Sequence, residues 1–321
     1  MADLRATSEL TSSPGIAPAR RPLRFLLQAL TRTPLPVLYA WGWILHVIVF
    51  HIVRWRRDQV ASDIALAFPD KPAAERARIL RESYRNIADV VMEAIWGFGA
   101  SAERLAQRVT FENTSLVDAA VAARQSVVLL TPHFCNWEWL LPAGGARFGL
   151  PIDAVYQKQR LATLDRFLLD ARSRFGGKPI LREDFVYELM NRAGTPRGYA
   201  LIADQTPPRD DKKHWSRFLN RDTAFFLGAE KVARFLDSPV LYVAMRRVGR
   251  GRYSVRLLPL AMPPFDAEAG VEDTPIMERF ARQLEVAIRE SPADWLWLQK
   301  RWKYPKPDQP ETEGRRRRVK R

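Results

Sequence analysis

The stretch Ser126-Val127-Val128-Leu129-Leu130-Thr131-Pro132-His133-Phe134-Cys135-Asn136-Trp137-Glu138-Trp139-Leu140 passes from a strand pattern to a helix pattern around a histidine. Ser126 to Leu130 is short, β-branched and free of charge, as a strand buried on both faces is, and Pro132 ends it. Asn136 is placed to cap a helix through Trp137, Glu138, Trp139 and Leu140, with Gly144 and Gly145 as weak points further on. His133 then sits in the loop and Glu138 in the first helical turn. In that arrangement the carboxylate fixes the imidazole tautomer and stabilises the imidazolium formed when a substrate hydroxyl gives up its proton. Two such residues five apart also recur by chance as a polar loop residue and a solvated helix carboxylate, and spacing alone favours that plainer reading. Scarcity favours chemistry: of four histidines, His46 and His51 lie in an apolar segment, which leaves His133 and His214. Cys135, the lone cysteine, reads as a small buried hydrophobe rather than a nucleophile.

Outward from this stretch the chain alternates. Val109 to Phe111, Ser126 to Leu130, Ala154 to Tyr156 and Tyr199 to Ala203 look extended, with helical patterns near Leu161 to Phe175 and Asp184 to Arg192. Val240 to Arg246 and Tyr253 to Leu258, joined by Gly249-Arg250-Gly251, form an antiparallel pair, and a closing helix runs near Ile276 to Arg289. The fold class is therefore α/β, with a mixed, mostly parallel sheet flanked by helices. Upstream, Leu80, Tyr84, Ile87, Val91 and Ile95 recur at spacings of three and four and describe one long helix between Lys71 and Ala100.

The chain of 321 residues can bury a full α/β core, and its 51 Lys and Arg against 36 Asp and Glu point to anionic partners. A single cysteine excludes an intramolecular disulfide framework. Pro34 to Val53 is almost wholly apolar, carries Tyr39, Trp41, Trp43 and Phe50, and ends in Arg54-Trp55-Arg56-Arg57, with Arg20, Arg21, Arg24 and Arg32 before it. About 20 apolar residues suffice to cross a bilayer, and aromatic residues beside basic ones suit its interface, so this segment reads as a membrane anchor, spanning or in-plane. The expected organisation is a flexible basic leader over 1–33, the anchor over 34–57, the main domain over 58–305 and a basic tail over 306–321.

Other clusters have two readings each. Tyr156, Lys158 and Arg160 follow a strand, where α/β proteins bind ligands. Arg172 and Arg174 end a helical pattern and either hold a phosphate or oxyanion or complement the helix dipole. Asp204-Gln205 follows a strand and opens a polar loop, Thr206 to Asn220, with Asp204 either a second acid/base group or a turn former.

Together these motifs resemble the bacterial lipid A biosynthesis acyltransferase family, the lauroyl and myristoyl transferases of the wider lysophospholipid acyltransferase superfamily, over roughly Leu35 to Lys303. The histidine, four residues, then carboxylate pattern is His133 to Glu138 in an Asn-Trp-Glu context. Ala67-Phe68-Pro69, Glu93, Tyr156 with Lys158 or Arg160, Arg172 or Arg174 before a glycine, Asp204-Gln205, and Trp295-Leu296-Trp297 to Arg301-Trp302 follow in order. The chain departs from the family at Ser62-Asp63-Ile64, at Gln299 where a histidine is usual, and over Trp215 to Thr223, so it resembles a divergent branch. The resemblance implies a glycerol-3-phosphate acyltransferase-like fold and an enzyme that moves a fatty acyl chain from acyl carrier protein, or acyl-CoA, to a hydroxyl of a lipid A precursor. It implies His133 as general base oriented by Glu138, with Arg172 or Arg174 assisting, and substrate contacts by Asn136, Trp137, Tyr156, Lys158, Arg160, Asp204, Gln205 and Arg301. No metal or redox cofactor is needed. The expected partners are acyl carrier protein, a membrane lipid acceptor and an anionic membrane surface, without nucleic acid, at the cytoplasmic face of a bacterial inner membrane. Two alternatives are an acyltransferase acting on a lysophospholipid or another glycolipid, and a non-catalytic basic protein that binds membrane or nucleic acid.

Overall fold

The structure, a computed structural model, describes residues 21–265 and 275–307. Most of the expected tail and the first part of the expected leader lie outside the described residues. The second part of the leader is not an irregular segment: Arg21–Arg32 forms helix α1. Helix α2, Leu35–His46, starts on Pro34 and Pro36, whose fixed φ suits a first turn, and runs on into a π-helical turn, Val47–Ile52. A short α3, Arg57–Ala67, leads to α4, Ala73–Gly97.

The long helix expected between Lys71 and Ala100 is α4, but its apolar stripe is not a single buried face. Val91 is exposed, while Ile79, Tyr84, Ala88, Met92 and Trp96 are buried. The reason is that α4 is covered on one side by α2 and on another by the rest of the body, so two faces of one helix are apolar.

A seven-stranded sheet makes the body, in the order β1-β9-β8-β2-β5-β3-β4. Its strands are β1 Val109–Phe111, β2 Val127–Thr131, β3 Ile152–Tyr156, β4 Pro179–Leu181, β5 Gly198–Ile202, β8 Val240–Gly249 and β9 Arg252–Ala261. Only the β8–β9 pair is antiparallel, so the sheet is mixed and mostly parallel. Every residue of β2 is buried, in accord with its uncharged Val and Leu run at the centre of the sheet. Intervening helices are α5 Ala102–Ala106, α6 Ser115–Ala122, α7 Trp137–Phe148, α8 Ala162–Arg172, α9 Phe185–Arg192, α10 Gly228–Leu236 and α11 Pro275–Glu290.

The segment read as a polar loop from Thr206 to Asn220 is in part a hairpin, β6 Lys213–Phe218 with β7 Arg221–Phe226, outside the main sheet. Its two-residue turn, Leu219 and Asn220, has positive φ at both positions, and Leu carries none of the usual signal for such a turn. The expected β8–β9 turn does carry that signal. Gly251 has φ +65, and a Cβ there would lie 2.3 Å from the Tyr39 hydroxyl, so the hairpin tip closes directly on α2.

Candidate active site

The sheet register brings the site together. Thr131 at the end of β2 pairs with Ile202 at the end of the neighbouring parallel strand β5. The residues two positions beyond each, His133 and Asp204, therefore emerge side by side. Asp204 Oδ1 lies 2.7 Å from His133 Nδ1, and Oδ2 accepts the His133 backbone N–H at 3.0 Å. The same Oδ2 also accepts Trp295 Nε1 at 2.9 Å and Gln299 Nε2 at 3.2 Å, and Asp204 is wholly buried. With Nδ1 held this way, the ring is left with Nε2, which has no protein partner among the described residues.

Asp204 therefore corrects the expectation for Glu138. The carboxylate that fixes the imidazole comes from a different strand, because adjacency in the sheet, not proximity in sequence, decides which groups meet. The His133 loop is also pinned from the C-terminal side. Phe134 bridges Trp295, Leu296 N–H donates to the His133 carbonyl at 3.0 Å, and Cys135 N–H donates to the Asp294 carbonyl at 2.8 Å. Cys135 itself takes φ 51, a left-handed conformation uncommon outside glycine, and its thiol is buried. The Trp137 ring meets the imidazole edge-on, with centroids 5.1 Å apart.

Charge and burial oppose each other here. Burial pulls the His133 pKa down, but the Asp204 carboxylate, with a further contribution from Glu138, outweighs it and leaves the pKa above the ordinary histidine value. Burial likewise pushes Asp204 up, and the adjacent imidazole and the Trp295 donor reverse this, so its carboxyl lies below the usual range.

Glu138, in the first turn of α7, meets Arg172 instead of the imidazole. Arg172 Nη2 donates to both carboxylate oxygens at 3.0 Å, and both side chains are 22% exposed, so the pair is open to a substrate without being washed by solvent. This separates the two arginines. Arg174 donates to the Phe98 carbonyl and lies over the Phe175 ring, away from the pair. Tyr156, at the end of β3, is close enough to feel the charge of Arg172, and burial raises its pKa. Lys158, Arg160 and Gln205 are exposed on the loops that follow β3 and β5.

Two further candidates are structural. Asn136 is fully buried. Its side-chain oxygen caps α7 by accepting Trp139 N–H at 3.2 Å, and its amide donates to Glu93 Oε2 at 2.8 Å. Arg301 is 1% exposed, donates to the Ala224 carbonyl at 2.7 Å and stacks on Phe225, so no substrate reaches it, and burial pushes its pKa down to about 10.

Glu93 holds this part of the molecule together. Beside Asn136 its carboxylate accepts the hydroxyls of Tyr39 at 2.9 Å and Tyr253 at 2.5 Å, while its carbonyl accepts Trp139 Nε1 at 2.8 Å. Burial raises its pKa, opposed by Arg247 and these donors. The sequence does hold a signal for this position, a lone carboxylate within Val90-Val91-Met92-Glu93-Ala94-Ile95-Trp96. Nothing in the sequence singled out the contacts of Trp295 and Gln299 with Asp204.

Residues 23–304 match the family described as bacterial lipid A biosynthesis acyltransferase. Among curated proteins, the chain is 23% identical to the lipid A biosynthesis myristoyltransferase of Escherichia coli K12, over 78% of this chain and 76% of that protein. It is 21% identical to a lipid A biosynthesis acyltransferase of Haemophilus influenzae, over 79% and 78%. With the lipid A biosynthesis lauroyltransferase of E. coli K12 it shares 22% identity over 87% and 89% of the two chains.

Proposed function

This chain belongs to the bacterial lipid A biosynthesis acyltransferase family, and from that premise we propose that it transfers a fatty acyl chain from the thioester of acyl carrier protein to a hydroxyl of a lipid A precursor. The observation that carries the mechanism is the buried Asp204 carboxylate on His133 Nδ1, which favours a proton on that nitrogen and so supports Nε2 as the base. As the acceptor oxygen attacks the thioester carbonyl, Nε2 takes its proton and a C–O bond forms. The tetrahedral intermediate then collapses, the C–S bond breaks, and the imidazolium returns the proton to the leaving thiolate. Asp204 stabilises the transient imidazolium. Arg172, oriented by Glu138, offers its remaining guanidinium donors to the oxyanion.

Acyl carrier proteins are acidic, and Lys158, Arg160 and Arg209 stand exposed on the loops beyond β3 and β5, on the same side of the sheet as His133. Such a rim speeds encounter with an acidic donor more than it tightens the complex. The apolar α2 and its basic flanks support a place at the inner membrane, with the site on the cytoplasmic side.

Purified enzyme, acyl carrier protein donor and a lipid A precursor test this reading. His133→Ala is expected to remove transfer while the protein still folds, and full activity in that variant would overturn the mechanism. Mass spectrometry of lipids from a deletion strain assigns the acceptor: loss of one acyl chain from lipid A supports it, whereas altered phospholipids beside intact lipid A refute it.

A further inference from the structure

Leu35–Ile52 is apolar enough over 18 residues to cross a bilayer, yet only 22% of it is buried. Its inner face is engaged along most of its length. Tyr39 bonds Glu93, Gly42 lies against Ala88 and Met92, and Phe50 stacks edge-on against Tyr84, so the helix runs antiparallel along α4. Its outer face presents Val37, Trp41, Trp43, Ile44, Ile48 and Ile52 and carries no Asp, Glu, Lys or Arg, with His51 exposed near its C-terminal end. An apolar helix face needs an apolar neighbour, and among the described residues this outer face has none.

The surroundings decide how lipid can reach that side. Beside the first half of the helix, Arg250 lies over the Tyr39 ring at 3.9 Å and pairs with Asp89 at 2.5 Å, and Arg85 stands exposed further along α4. If the helix crossed a bilayer while keeping its contacts with α4, these charges and the β8–β9 turn would sit at the depth of the hydrocarbon core. Charged groups at that depth are costly, and irregular backbone has no partners there. Lying flat, the helix meets neither cost. Its ends carry Arg32 and Arg54, both exposed, with Trp55 beside the second, and there is no acidic residue from Pro34 to Arg57. Basic and aromatic residues at both ends complement an anionic headgroup layer on one side. Helix α1 packs on α4 and on α8, the helix that carries Arg172, and adds Phe25 and Leu26 to the exposed apolar surface.

We propose that α1 and α2 form an in-plane docking surface for one leaflet of an anionic lipid bilayer, entering it without crossing it, with both ends of α2 on the same side. The proposal rests on the reading of a lipid acceptor only for its purpose. An acceptor held in that leaflet then reaches the Arg172 side of the site by lateral diffusion.

Cysteine labelling tests the topology without turnover, because the one native cysteine is buried. Ser8→Cys, upstream of the helix, and Asp58→Cys, downstream, are probed with a membrane-impermeant maleimide in sealed inverted and right-side-out vesicles from expressing cells. The expected result is equal labelling of both positions in inverted vesicles and loss of both in right-side-out vesicles. Labelling of the two positions from opposite sides would overturn the proposal, as would recovery of the unaltered chain in the soluble fraction. A second variant, Trp41→Ser with Ile44→Ser and Ile48→Ser, changes only exposed side chains. It is expected to lose sedimentation with phosphatidylglycerol vesicles while keeping the wild-type thermal transition, and undiminished binding would also refute the in-plane face. Failure of acyl transfer with intact same-side labelling would count against the function alone.

Discussion

Replacing Asp204 by Asn tests the site most sharply, because the carboxylate's partners dictate how the amide must turn. Oδ2 accepts three N–H groups, from the His133 backbone, Trp295 and Gln299, whereas Oδ1 faces His133 Nδ1 alone. Orphaning a buried donor costs about 1–3 kcal/mol, so the single amide oxygen takes the side with three donors. The amide NH2 then faces Nδ1, which must become an acceptor, and the ring proton moves to Nε2. A protonated Nε2 cannot take a proton from the acceptor hydroxyl. The same tautomer error in serine-protease triads costs about 10⁴ in turnover, and a loss on the order of 10³–10⁴ is expected here. Asp204→Ala is the poorer choice, since it orphans several buried donors together in a fold whose whole stability is of the order of 5–15 kcal/mol. The assay is acyl transfer from acyl carrier protein to a lipid A precursor, read as kcat/KM against pH, with circular dichroism to verify folding. An Asp204→Asn enzyme with wild-type kcat/KM and an unchanged pH profile would refute the assignment of Asp204 as the orienting group.

The remaining predictions concern charge and the two arginines. Because the His133 pKa is raised, kcat/KM of the wild type should climb with pH through a value above the ordinary ~6.5 and then level off, and a limb centred below that value would contradict the geometry. For stability the raised His133 pKa contributes fully below ~6.5 and is lost as pH rises through the folded value, whereas the lowered Asp204 pKa contributes above ~3.9 and is lost as pH falls through its folded value. The Tm difference between wild type and Asp204→Asn should therefore be largest between roughly pH 4 and 6.5 and shrink at alkaline pH, which a calorimetric series measures. Arg172→Ala should lower kcat by about 10²–10³, as loss of one oxyanion donor does, while Arg174→Ala stays near wild type; equal losses would remove the distinction. Gln299→Leu takes one donor from Asp204, concentrates its charge on the imidazole, and should move the rising limb of kcat/KM to higher pH, with an unshifted limb arguing that Gln299 does not reach the dyad.

Much of this was legible from local pattern. The buried β2, the Asn136 cap, the loop position of His133, the long α4 and the glycine-marked β8–β9 turn all depend on neighbours in sequence, and sequence spacing encodes them. What lay beyond reach depends on which strands adjoin. Asp204 is 71 residues from His133, and only the β2–β5 register brings them together, so Glu138, five residues away, was the natural but mistaken candidate for fixing the ring. Arg301 failed for a related reason: an arginine reads as a surface or ligand-binding residue until its burial against Phe225 is seen. The Leu219 turn was invisible because its conformation is imposed by the hairpin rather than preferred by the residue.

The carboxylate of Glu93 also bears on how this enzyme can be handled. Tyr39, on the helix whose outer face is bare, and Asn136, the cap of the helix that carries Glu138, bond the same buried group. Trimming the chain before Arg54 to obtain a soluble form would strip one donor from that carboxylate and expose Ala88, Met92 and Tyr84, now covered by α2 and the π-helical turn that follows it. The shortened protein would be less soluble rather than more, and its active-site helix would lose part of its support. A detergent or nanodisc that covers the outer face of α2 is the form in which the catalytic machinery stays whole.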